Sequence, residues 1–171
     1  MIDLDEPRFS LGQVAKALGI SASTLRSWLR LKYFGLGQGD SERQAEGHAH
    51  AISLRTALWA GAVVEVTKHG VPAGRAAKIA AAFALHADVD QKTEQTVRGA
   101  GELYPGHGVY TLLVAYPGDD VGHVIRFDDK TPLQPIFFDQ RTGRTTSALI
   151  VWLNFVDKAI HMNLLQRGEG I

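Results

Sequence analysis

The 171-residue chain has no cysteine, which excludes disulfides, thiolate metal sites and thiol redox sensing. It also has no apolar run near the roughly 18 to 20 residues that a membrane span needs. The opening stretch MIDLDEPRFS is acidic and lacks an apolar core, so no signal peptide is expected, and a cytoplasmic, non-membrane protein is. Net charge is missing as well, since 18 Lys and Arg balance 18 Asp and Glu. The telling absence is local: residues 8–34 contain no acid at all, yet carry Arg8, Lys16, Arg26, Arg30 and Lys32. Residues 1–86 hold ten cations against seven acids, and residues 87–171 hold eight against eleven, so the first part is +3 and the second −3. A cationic surface of this kind suits a polyanion, the alternative being an ordinary solvated helix face.

What is present reads as helices first and strands afterwards. Ser10 can cap a helix whose apolar positions Leu11, Val14, Ala15 and Leu18 follow helical spacing, and Gly19 stops it. Ser21 then caps a second helix in which Leu25, Trp28 and Leu29 face inward while Ser23, Thr24, Arg26, Ser27 and Arg30 face outward, a helix-turn-helix. Residues 35–51 are Gly-rich and polar and are expected to form a hairpin wing. Ser53 and Pro72 mark the starts of two further helices. Residues 86–108 are expected to be a linker. The period then changes: 109–116 and 121–127 read as a β-hairpin, 135–139 as an edge strand, and 147–153 as a buried strand. A terminal helix is expected after that strand, capped by Asn154. The expected class is α+β: an all-α N-terminal winged helix-turn-helix over 8–85, the linker, and a small α+β domain over 109–168 with a β-hairpin and a C-terminal helix.

The stretch FSLGQVAKALGISASTLRSWLRLKYFGL, residues 9–36, resembles the winged helix-turn-helix of the MerR family of bacterial regulators. The similar elements are an aromatic and Ser before the first helix, Leu-Gly-Ile at the turn, and TLRSW followed by YFGL in the second helix. HAISLRTAL and KHGVPAGRAAKIA fall where that family closes its wing and opens its next helices. The resemblance implies duplex DNA as partner, with Ser23, Thr24 and Arg26 in contact with it. Two departures stand out: Ser27 replaces the aromatic that usually follows the arginine, and the wing ends in GHAHA without arginine. No long helix for antiparallel dimerisation is evident after residue 86.

Chemistry leads to the same surface independently of the resemblance. A recognition helix spanning about 22–32 can lie in the major groove, where Arg26 or Arg30 can donate two bonds to guanine O6 and N7. Ser23, Thr24, Ser27, Lys32 and Lys16 can reach phosphates or base edges, and the helix N-termini at Ser10 and Ser21 offer backbone donors. The function expected is that of a sequence-specific, homodimeric transcription regulator, with RNA polymerase as a further contact and no cofactor, metal or catalytic group. Self-association is assigned to the second domain through its apolar helix and the 135–139 edge. Two alternatives stay open: a phage-type architectural protein (a recombination directionality factor or small packaging subunit), and a protein-binding adaptor whose helix-turn-helix no longer touches DNA. Glu46, His48 and His50 form an E-x-H-x-H cluster that reads better as an exposed loop than as a metal site. The aspartate pairs 119/120 and 128/129 read as turns, and His69 as a helix end.

Overall fold

The computed structural model describes residues 3–33, 51–139, 143–145 and 147–165. The expected wing up to residue 50, with Glu46, His48 and His50, lies outside the described residues.

The chain begins with a strand, β1 (Pro7–Ser10), before any helix. Ser10 both ends this strand and caps α1 (Leu11–Leu18): its Oγ accepts from the Gln13 amide at 3.3 Å, and its own amide donates to Gln13 Oε1 at 2.8 Å. Gly19, at φ 69°, closes the helix, and Ser21 caps α2 (Ala22–Arg30) by accepting from the Thr24 amide at 2.9 Å. Strand β1 pairs antiparallel with β2 (Ala51–Ser53), Phe9 opposite Ile52, both buried. The expectation of an all-α N-terminal unit is therefore corrected: the helix-turn-helix is closed at its base by a strand pair. Four residues with a proline show no period of their own, and their partner lies some forty residues on, so nothing local signals the pairing.

Ser53 caps α3 (Leu54–Thr67), and α4 (Ala73–Ala84) follows Pro72. In place of a linker, residues 86–108 carry a short antiparallel pair, β3 (Asp88–Val89) with β4 (Thr96–Arg98). Arg98 holds it to α4. Its guanidinium, in a residue 3% exposed, donates to the carbonyls of Phe83, Gly99 and Glu102 and, at 2.6 Å, to that of His86. It lies over the rings of Phe83 and Tyr104 at 5.8 and 5.7 Å. Tyr104 in turn donates its hydroxyl to the Asp88 carboxylate. Burial, reinforced by that bond, pushes the Tyr104 phenol up to about 12.

The main sheet has the order β6-β5-β9, with β5 (Tyr110–Ala115) central and β6 (His123–Phe127) paired antiparallel to it as the expected hairpin. The expected strand at 135–139 is mostly a 3-10 turn, Gln134–Phe137, leaving two residues, β7 (Phe138–Asp139), to pair with β8 (Gly143–Arg144). Pro132 and Pro135 hold φ near −65° and lack an N–H, which suits a turn better than a ladder. Ile136 from this turn packs on Leu112, Val114 and Tyr116, on the sheet face away from the helices. Strand β9 (Leu149–Trp152) runs directly into α5 (Leu153–Leu164). Asn154 is not its N-cap. Trp152 occupies that position without a side-chain bond, and Asn154 Oδ1 instead accepts the Thr111 amide at 2.7 Å, tying α5 to the central strand.

One continuous core runs from Phe9 to Leu164 and includes residues of α1–α5, β5 and β9. It spans both segments read above as separate domains. Two glycines permit its closest approaches. A Cβ on Gly61 of α3 would lie 2.4 Å from Ile160 Cδ1 and 2.9 Å from Val156 Cγ1 of α5. A Cβ on Gly122 would lie 2.2 Å from the backbone oxygen of Ile79 in α4.

The second of these obstacles is backbone and cannot rotate away. Gly122→Ala is therefore expected to destabilise the fold by about 2 kcal/mol or more, lowering Tm by roughly 4 °C or more for a chain of this size. An unchanged Tm in a calorimetric scan would refute the contact between α4 and the start of β6. A second prediction concerns alkali. The folded pKa of Tyr104 lies above the ordinary value of 10, so its contribution to stability is complete below about pH 10 and is lost as pH rises toward 12. Ultraviolet titration should show the Tyr104 phenol ionising late, together with unfolding, and Tyr104→Phe should remove that step.

Candidate nucleic-acid interface

Helix α2 is held by one side. Leu25 is 1% exposed, and Trp28 and Leu29 are partly buried against the main core. The opposite side carries Ser23, Arg26 and Arg30, all exposed, at i, i+3 and i+7 and so on one face. Lys32 follows just beyond the helix and is exposed too. Among the described residues none of the side chains of Arg26, Arg30 and Lys32 makes a hydrogen bond or ion pair. Acids elsewhere are engaged elsewhere: Asp5 with Arg55 at 2.7 Å, Glu65 with Lys68 at 2.6 Å, and Asp120 with Arg75 at 3.1 Å and Lys78 at 3.4 Å. The Arg55 guanidinium, chiefly through its hydrogen bond, holds the Asp5 carboxyl below its usual range. Arg8 leaves the cationic set, because its Nε donates to Glu6 at 2.7 Å.

The turn positions α2 against α1. Gly19 takes the left-handed conformation that lets the Ile20 amide reach back to the Ala15 carbonyl at 3.0 Å. The far end closes similarly: Lys32 sits at φ 54°, and the Tyr33 amide donates to the Trp28 carbonyl at 3.0 Å. Tyr33 then lies over Gly74 in the first turn of α4, where a Cβ would come within 3.2 Å of its ring. Sequence reading missed this second anchor. Its only signal is a glycine two residues after the proline that opens α4.

The hydroxyl residues prove to be cap components. Ser21 Oγ lies 2.7 Å from both Ser23 Oγ and Thr24 Oγ1, so the three form one hydrogen-bonded cluster at the N-terminus of α2. Ser27 is half-buried. The Ser10 amide is occupied by Gln13 and is not a free donor for phosphate. Lys16 is exposed in the last turn of α1, where its charge also complements the helix dipole. The predicted residues thus divide into a capping group, Ser10, Ser21, Ser23 and Thr24, the half-buried Ser27, and a free cationic group, Lys16, Arg26, Arg30 and Lys32.

The other candidates of the sequence have local roles. Asp119 is buried and accepts the Val121 amide at 3.1 Å, and Asp128 accepts the Lys130 amide at 3.1 Å and the Thr131 hydroxyl at 2.7 Å, as turn residues do. The bond from Thr131 is the main cause that holds the Asp128 carboxyl low. His69 is exposed beyond α3. Among the described residues no three His, Asp or Glu side chains gather to hold a metal, and no helix is long and apolar enough to cross a membrane. A cleft of about 570 Å³ between Tyr116, His123, Ile125, Gln134 and Phe138 lies on the sheet face away from the helices. Comparison with protein-family models, with curated proteins and with solved structures gave no match.

Proposed function

We propose that the chain is a cytoplasmic transcription regulator that binds duplex DNA sequence-specifically as a homodimer, with α2 in the major groove. The observation that carries this reading is the set of exposed guanidinium groups, Arg26 and Arg30, on a helix fixed from behind by Leu25 and free of acidic partners among the described residues. Each can make the bidentate contact to guanine that is worth roughly 1 to 3 kcal/mol of base discrimination. Lys16 and Lys32 neutralise phosphates and set the register. The hydroxyl cluster of Ser21, Ser23 and Thr24 keeps the N-terminus of α2 rigid at the groove. The MerR-like sequence of residues 9–36 supports the same placement of α2. Nothing in the reading requires catalysis.

Duplexes selected from a random pool should bind the full chain, with log K falling against log salt: two neutralised phosphates per protomer, so about four for the dimer, give a slope of roughly −3.6. Arg26→Ala should weaken binding to the selected duplex by more than about 1 kcal/mol and narrow the gap to a scrambled one. Its stability should hold within about 0.5 kcal/mol, since the residue is exposed. Equal affinity of parent and variant would remove Arg26 from base reading. Binding that is absent, or indifferent to salt, in a folded chain would favour the protein-binding adaptor instead.

A further inference from the structure

Strand β9 is the outer strand of the main sheet and, among the described residues, is paired on one side only, to β5. Such an edge presents unpaired backbone N–H and C=O groups, and proteins usually blunt it with a charge, a proline or a bulge. None of these is here. Residues 147–156 read SALIVWLNFV without a charged residue or proline, and the register with β5 runs unshifted from Leu149 to Trp152. The side chains around the edge are apolar and open: Ile150 and Trp152 are each 40% exposed and Phe155 is 63% exposed. They are also held in place, because the Trp152 ring meets Tyr110 edge-on at 4.7 Å between centroids and Phe155 at 5.1 Å. Alongside runs a cavity of about 470 Å³, lined by Glu65, His69, Ile150, Trp152, Phe155 and Ala159, which leaves space for another strand.

We propose that this edge is a homodimer interface, in which two copies pair β9 antiparallel about a two-fold axis and merge their three-stranded sheets into one. A second copy is the occupant favoured because an antiparallel edge is complementary to itself, and a two-fold contact closes on itself, covering the β9 edge of both copies at once. Opposed residues of an antiparallel pair share a face, so an axis through Val151 sets Ile150 of each copy opposite Trp152 of the other. Phe155, Ala159 and Met162 recur at i, i+4 and i+7 along α5 and are all exposed, which extends the apolar strip past the strand. At about 150 to 250 Å² per aromatic side chain, the open parts of Trp152 and Phe155 alone offer roughly 200 Å² per copy. That is about a quarter of the 800 Å² per partner of a standard interface, before the strand backbone, Ile150 and Met162 are added. The pairing requires nothing of α2 and stands or falls independently of DNA binding.

Sedimentation equilibrium on the full chain at micromolar concentration should give twice the 18.6 kDa protomer mass. Ile150→Glu and Trp152→Glu should each weaken the dimer at least about tenfold. Leu133→Glu, at a residue 61% exposed in the turn after β6, should leave it intact. If the glutamate variants do not fold, hydrogen exchange on the parent chain decides: protection of the 149–152 amides should fall on dilution. A monomeric parent chain, a dimer indifferent to both edge substitutions, concentration-independent exchange or an open-ended polymer would each overturn the proposal.

Discussion

Helix α3 must be covered on every side, and the rest of the fold is arranged to do it. Eleven of its positions are buried, from Leu54 to Val66, and they surround the whole helix rather than forming a stripe. A helix that is apolar all round is stable only where neighbours close every face. Helix α4 closes one of them, and the Trp59 indole donates to the Ala77 carbonyl at 3.1 Å across that contact. Helix α5 closes another at Gly61, where the missing side chain admits Ile160 and Val156. The helix-turn-helix and its strand pair supply Val14, Ala15, Leu25 and Ile52 to the same core. Residues from both ends of the chain are therefore needed to bury one element, and Asn163 even donates to the Ala17 carbonyl at 3.3 Å.

That arrangement decides how firmly α2 is presented. Nine residues are too few for a helix to persist alone in water, so its stability comes from what it touches. Leu25 is its one fully buried side chain, and Trp28 and Leu29 lean on the core from the same side. The Ser21 cap fixes one end and the Tyr33 contact with Gly74 the other. A helix restrained at both ends and from behind holds Arg26 and Arg30 in a defined direction, so little ordering remains to be done when a partner binds.

What was legible in the sequence was what local spacing encodes. Ser10, Ser21 and Ser53 cap helices, Gly19 ends one in the left-handed conformation, and Pro72 precedes another, because each acts through bonds within its own turn. The β5–β6 hairpin and the division between β9 and α5 were visible from the change of period. The β1–β2 pair was not, since its stabilisation comes from a distant strand and its four residues carry no pattern. Asn154 shows the limit of capping rules: the residue type suits a cap, yet a strand amide from Thr111 competes for the same oxygen and wins. At the interface, the absence of acids between residues 8 and 34 pointed to the free cations, but it could not separate them from the hydroxyls that the caps consume. Gly61 and Gly122 carry no sequence signal at all, because their role is the absence of a Cβ opposite another element.

The even charge balance conceals a segregation that bears on the DNA-binding reading. The acidic excess of the second half is spent close to home: Asp120 neutralises Arg75 and Lys78, Asp128 pairs with Arg126 at 3.1 Å, and Asp157 with His161 at 3.2 Å. Asp157 is buried enough that desolvation raises its carboxyl pKa. Charges more than about 8 Å apart through solvent are largely screened at physiological ionic strength. A polyanion at α2 would therefore meet Arg26, Arg30 and Lys32 as unopposed local charge, whatever the total for the chain. The same locality separates the two surfaces in chemistry: β9 and its flanks from Ser147 to Val156 carry no charge, so the side suited to self-pairing is not one that attracts phosphate, and neither surface competes with the other for its partner.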